Sequence, residues 1–140
     1  MKSDSLVVAL SQSGETIDII SSLKSAKEKN AKIMAITNVL GSTLYRMSDF
    51  QLMLNAGPEK CVLATKSFTA KITYLYLLAH TLNGTLDTAQ KDIEKAVKQI
   101  EVLLKDKKPI HNLAKKIKTK KHIYILGRGV SYPTALESAL

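Results

Sequence analysis

The chain has 140 residues, 45% hydrophobic and 24% charged, a balance that excludes a disordered segment and fits a globular domain. Its formal charge of +9 points to nucleic acid only in total: between Lys91 and Lys121 eleven lysines outnumber four acidic residues on helical patterns lacking arginine and aromatic side chains. That distribution describes a solvated helix surface rather than a nucleic-acid interface, and the longest apolar run, Ile72 to Leu82, is too short and too interrupted to span a membrane.

Leu6 to Leu10 is short, apolar and rich enough in β-branched residues to predict a buried strand. Ile17, Ile19, Ile20, Leu23 and Ala26 fall at helical spacing and predict a helix over 14–29, closed by Asn30 in the left-handed conformation. Between them lies Ser11-Gln12-Ser13-Gly14-Glu15-Thr16, which places three hydroxyls, an amide and a glycine at the helix N-terminus. Unpaired N–H groups and the positive end of the helix dipole favour an anion there. The turn contains no lysine and the chain has no GxxxxGK[ST] pattern, so the fitting ligand is a phosphate held by neutral donors, as in a sugar phosphate. The same residues also fit a purely local role, with Ser13 capping the helix and Gly14 permitting the turn.

Lys32 to Thr37 is a second strand, and its connection to the first predicts a right-handed parallel pair with the ligand at the carboxyl ends. Asn38 and Gly41-Ser42-Thr43 belong to that same end, either touching a ligand or turning the chain. A short helix over 43–48 and a third strand over 50–54 follow, and Asn55-Ala56-Gly57-Pro58-Glu59 breaks the pattern. From Val62 to Leu82 the apolar spacing predicts a long, heavily buried helix ended by Gly84. Helices over 85–105 and 110–118 are separated by Asp106 to Pro109. His122 to Leu126 then reads as a strand, and Gly127-Arg128-Gly129 turns it into a helix at Pro133; without a third glycine this is weak evidence for a dinucleotide. His80, His111 and His122 lack ligand spacing, so no metal is expected. The single Cys61 has no neighbouring base and suits a small buried residue in a reducing compartment.

SQSGET after a strand resembles the phosphosugar signature of sugar isomerase (SIS) domains. Together with Ala56-Gly57-Pro58-Glu59, Ala64-Thr65-Lys66-Ser67-Phe68-Thr69 and Leu126 to Glu137, it resembles the isomerase half of the glutamine:fructose-6-phosphate aminotransferases. The resemblance implies an α/β fold, a flavodoxin-like parallel sheet with helices on both faces. It implies a first SIS domain over 1–105 lacking its first βα unit, a lysine-rich helical linker over 106–121, and the first strand and helix of a second SIS domain over 122–140. It implies substrate phosphate binding by Ser11, Gln12, Ser13 and Thr16, and sugar binding by Val62 and Ala64, where Ala64 replaces the family's usual serine. The implied partners are fructose-6-phosphate, glucosamine-6-phosphate or a related sugar phosphate, with no cofactor; the long apolar helix and an exposed sheet edge point to a second copy in a homodimer, and composition points to no nucleic acid, no membrane and the cytoplasm as the default. The family's catalytic groups fall beyond Leu140, so no catalytic residue is assigned and the chain alone is expected to be inactive. A non-catalytic phosphosugar-sensing module and a dimerisation element are the competing readings.

Overall fold

The computed structural model describes residues 2–60 and 64–140. The chain folds as two compact units, Met1–Ala89 and Gln90–Leu140.

In the first unit, β1 (Leu6–Ser11), β2 (Lys32–Thr37) and β3 (Phe50–Met53) form a parallel sheet in the order β1-β2-β3. The helices α1 (Ile17–Glu28) and α2 (Thr43–Met47) connect them, as predicted from the alternation of apolar runs and turns. Side chains alternate across a strand, so one sheet face presents Ala9, Ile33 and Ala35; they form the core with Leu23 of α1 and Leu44 of α2. Ala9 and Ala35 are directly paired in register, and two small residues side by side let the helices approach the backbone closely. Ile36 points to the opposite face and is fully buried there, beside half-buried Val8, Leu10, Met34 and Leu52. Asn30 closes α1 at φ 58°, as the sequence predicted. At the amino end of the sheet, Asp49 accepts from Lys32 Nζ at 2.8 Å and from the Ile33 N–H at 2.9 Å, fixing the entry of β3 beside β2.

α3 runs over Lys66–Leu82; of the expected start, Ala64 and Thr65 precede the helix, and Val62 and Leu63 lie outside the described residues. The expected heavy burial is not observed: only Ser67 is buried, while Ile72 and Leu75 are 50% and 40% exposed. Periodicity identifies which face of a helix is apolar, but burial depends on what covers it. Tyr74 Oη ties the helix to the sheet by donating to Met53 O at 2.6 Å. Gly84, at φ 69°, follows the end of α3, and α4 (Leu86–Lys105) begins two residues later.

In the second unit, α5 (Lys108–Ile117) carries Pro109 in its first turn, where a missing N–H costs nothing. His122–Leu126 does not form the expected strand. A strand exists through its partners, and among the described residues none runs beside this segment. The helix after it is present as α6 (Tyr132–Ser138), preceded by a 3-10 turn at Gly129–Ser131. A Cβ on Gly127 would lie 2.4 Å from Ser131 O and 2.7 Å from Ala135 Cβ, so this glycine serves close packing of the turn. No helix among the described residues is long and apolar enough to cross a membrane.

Candidate functional site

Ser11 and Thr37 end β1 and β2 side by side, and the ladder continues one step beyond them, with the Asn38 N–H donating to Gln12 O at 3.1 Å. This sets the loop 11–16 at the carboxyl ends of the strands. Ser11 is buried, and its Oγ accepts the Gly14 N–H at 2.9 Å while sharing a 3.1 Å hydrogen bond with Thr16 Oγ1. When Ser11 donates in that pair, the Thr16 proton is free for a ligand. Ser13 Oγ accepts the Glu15 N–H at 3.1 Å, which folds the loop tightly and also leaves its own proton to donate. Ser11 therefore shapes the loop from below, while half-buried Gln12 and Ser13 and exposed Thr16 form its open side.

Gly14 is the pivot. It sits at φ 70°, and a Cβ there would lie 2.1 Å from Ser42 Oγ and 2.9 Å from Thr37 Oγ1. The backbone of the loop thus rests directly on the start of α2.

The two helix N-termini at this end of the sheet differ. At α2, the Thr43 N–H donates to Glu15 Oε1 at 2.7 Å, the Leu44 N–H to Gly14 O at 2.9 Å, and the Tyr45 N–H to Ser42 Oγ at 3.4 Å. Every N–H of its first turn is satisfied by the protein. At α1, the Thr16 side chain makes no capping bond, and among the described residues Ile20, donating to Thr16 O, is the first whose N–H is taken. The amides of Ile17, Asp18 and Ile19 are therefore available beside the hydroxyls of Ser13 and Thr16, an arrangement suited to an anion.

Across the strand ends, Asn38 holds the 55–57 turn: its Nδ2 donates to Gly57 O at 2.7 Å and its Oδ1 accepts the Ala56 N–H at 2.9 Å. This answers the open question about Asn38 in favour of a structural role. Ala64, half-buried, lies just before α3, and Val62 lies outside the described residues, as does Cys61. Glu59 accepts the Ser67 N–H at 2.9 Å; that amide, with the Lys66 charge adding to it, holds its carboxyl below the ordinary value. A base poised near neutral pH needs the opposite shift, so Glu59 is a helix cap rather than a proton acceptor. Sequence reasoning missed Glu15 as a contact across 28 positions; its acidic character inside a loop otherwise suited to an anion was the available signal.

The family model for the SIS domain matches residues 1–81. The chain is 44% identical over 147 residues to a glutamine–fructose-6-phosphate aminotransferase (isomerizing) of Thermotoga maritima, covering all of this chain and 24% of that protein. It is 41% identical to the enzyme of the same name from Thermococcus kodakarensis, over 96% of this chain and 24% of that one. Among solved structures, the C-terminal domain of glucosamine-fructose-6-phosphate aminotransferase from Francisella tularensis superposes with a TM-score of 0.77 at 37% identity, over 96% of this chain and 40% of that one. The chain thus spans about a quarter of the length of the curated relatives it matches. A parallel α/β sheet, the strand-loop-helix of residues 6–28 and the family match agree: this chain belongs to the SIS domain family.

Proposed function

We propose that the chain is the sugar-phosphate-binding part of the isomerase region of a glutamine:fructose-6-phosphate aminotransferase. Its first SIS domain spans 1–105, and a linker over 106–121 leads to a second beginning at 122. The single observation that carries this reading is the contrast between the two helix N-termini, one satisfied by the protein and the other open beside Ser13 and Thr16.

In this reading, the phosphate of fructose-6-phosphate or glucosamine-6-phosphate accepts from the first-turn amides of α1 and from Gln12, Ser13 and Thr16. Ser11 holds Thr16 in place, and the sugar extends towards Val62 and Ala64. The parent enzyme forms glucosamine-6-phosphate in the cytoplasm as a homodimer. Exposed apolar residues at i, i+3 on α3, Ile72 and Leu75, supply part of the self-association surface. Moving a proton between C1 and C2 of the sugar requires a base within hydrogen-bond reach, and neither Glu59 nor Glu137 is assigned that part; the chain alone binds and does not turn over.

The test is calorimetric titration of the chain with fructose-6-phosphate, inorganic phosphate and fructose. The phosphorylated ligands bind and fructose does not. Ser13→Ala and Thr16→Val each weaken binding by about 0.5 to 1.5 kcal/mol, rising to about 3 where the hydrogen bond is to the charged phosphate. Equal affinity for the phosphate and for fructose, or unchanged affinity in both variants, overturns the assignment.

A further inference from the structure

Glu15 stands inside the loop that the proposed function gives to an anion, yet it carries a negative charge of its own. Its side chain is directed sideways, with Oε1 accepting the Thr43 N–H at 2.7 Å at the start of α2. Two further contacts join the same two segments: Leu44 donates to Gly14 O at 2.9 Å, and Gly14 leaves no room for a Cβ against Ser42. Arg46, one turn along α2, donates to Gly41 O and to Thr43 Oγ1, so the segment that receives Glu15 is itself braced. The α2 N-terminus and Arg46 hold the Glu15 carboxyl below its ordinary value, with the Thr43 amide the larger influence. The carboxylate is thus drawn towards α2 by groups of opposite sign.

We propose that Glu15 is a positioning residue that clamps the 11–16 loop to the start of α2, holding the first turn of α1 and the Ser13 and Thr16 hydroxyls in an anion-competent arrangement. This rests on the phosphate-binding reading of the loop. The clamp needs an acceptor oxygen at this position; the negative charge strengthens the contact with α2 but also repels a phosphate. The two effects can be separated by substitution, because glutamine keeps an acceptor oxygen and removes the charge, whereas alanine removes both.

The experiment titrates the full chain and its Glu15→Ala and Glu15→Gln variants with glucose-6-phosphate and with inorganic phosphate, alongside amide hydrogen exchange at Thr43 and Leu44 without ligand. Glu15→Ala weakens binding about fivefold, as when the competent population falls to about one-fifth. Glu15→Gln binds at least as tightly as the parent chain, and exchange at Thr43 accelerates in the alanine variant alone. Binding that is unchanged or tighter in both variants shows a carboxylate that merely repels or merely faces water, and overturns the inference. A parent chain that binds neither probe overturns the phosphate reading and the ligand-directed part of this one. The exchange rates then decide the clamp separately, since equal rates in the parent chain and both variants remove it.

Discussion

Asn38 and Gly57, nineteen positions apart, are joined by a 2.7 Å hydrogen bond from Nδ2 to the carbonyl oxygen. Because Asn38 Oδ1 also receives the Ala56 N–H, one side chain substitutes for a strand pairing that stops at Thr37 and Met53. Asn38→Ala removes both bonds and is expected to cost about 1 to 3 kcal/mol, at roughly 0.5 to 1.5 for each. Asn38→Asp keeps the acceptor for Ala56 but sets a carboxylate oxygen against Gly57 O, so it also destabilises. Urea midpoints check both, and an unchanged midpoint in the alanine variant would mean that the turn holds itself.

Gly14→Ala combines two costs. A left-handed backbone costs a non-glycine residue about 1 to 2 kcal/mol, and forcing a methyl group against Ser42 and Thr37 adds about 1 to 3. The variant is expected to lose at least 2 kcal/mol of stability by these magnitudes, together with its phosphate affinity. Gly41 has nothing within 4 Å of its added Cβ, so Gly41→Ala is the matched control for positive φ without crowding. Thermal unfolding that ranks the two equally would show that conformation alone, and not contact with α2, requires Gly14.

Leu44 is fully buried in the core, although α2 is only five residues long. Such a helix has little stability of its own, and Leu44, with partly buried Met47 beside it, supplies its apolar packing on the core. Leu44→Ala should cost about 2 to 5 kcal/mol. It should also weaken the Glu15–Thr43 contact, readable as faster amide exchange at Thr43.

Acid should loosen this unit through three carboxylates that each accept a backbone N–H. Glu15 is held low by the Thr43 amide and Arg46, Asp49 by Lys32 and then the Ile33 amide, and Glu59 by the Ser67 amide and Lys66. Their folded-state values lie below their unfolded ones, so protonation favours the unfolded chain. The stability they contribute is complete above about pH 4.3, near the unfolded carboxylate values, and is lost as pH falls through the lower folded ones. Circular dichroism of a Glu15→Gln, Asp49→Asn, Glu59→Gln variant should show a shallower fall in stability between about pH 5 and 2 than the parent chain. Identical slopes would place the acid sensitivity elsewhere.

The family resemblance implies a serine where this chain has Ala64. In the proposed site, Ala64→Ser restores a hydroxyl facing the sugar, with affinity for fructose-6-phosphate rising by about 0.5 to 1.5 kcal/mol and affinity for inorganic phosphate unchanged. A gain for both ligands would mean that residue 64 acts on the loop rather than on the sugar.

What could be read from the sequence depended on the range of the interactions involved. The β1-α1-β2 unit was legible to within a few residues, because apolar alternation, the loop and Asn30 are all local signals. The 11–16 loop was legible as a candidate anion site for the same reason. The division of labour within it was not: Ser11 supports Thr16 from a buried position, and Glu15 reaches Thr43, facts that depend on how α2 returns to the sheet. The burial of α3 and the strand at 122–126 failed together. Both depend on a neighbouring surface, and an apolar pattern carries no information about whether that surface is present.

The segment 122–126 also matters for the chain's behaviour at high concentration. Ile123 and Leu126 are 59% and 92% exposed, Tyr124 and Ile125 lie between them, and the backbone of all four lacks a ladder partner among the described residues. Such a run is an adhesive template, since two copies brought together satisfy each other's N–H and C=O groups and bury apolar surface in one step. Precipitation of the chain should therefore start there, and a lysine in place of Tyr124 should raise its solubility without altering the 11–16 loop.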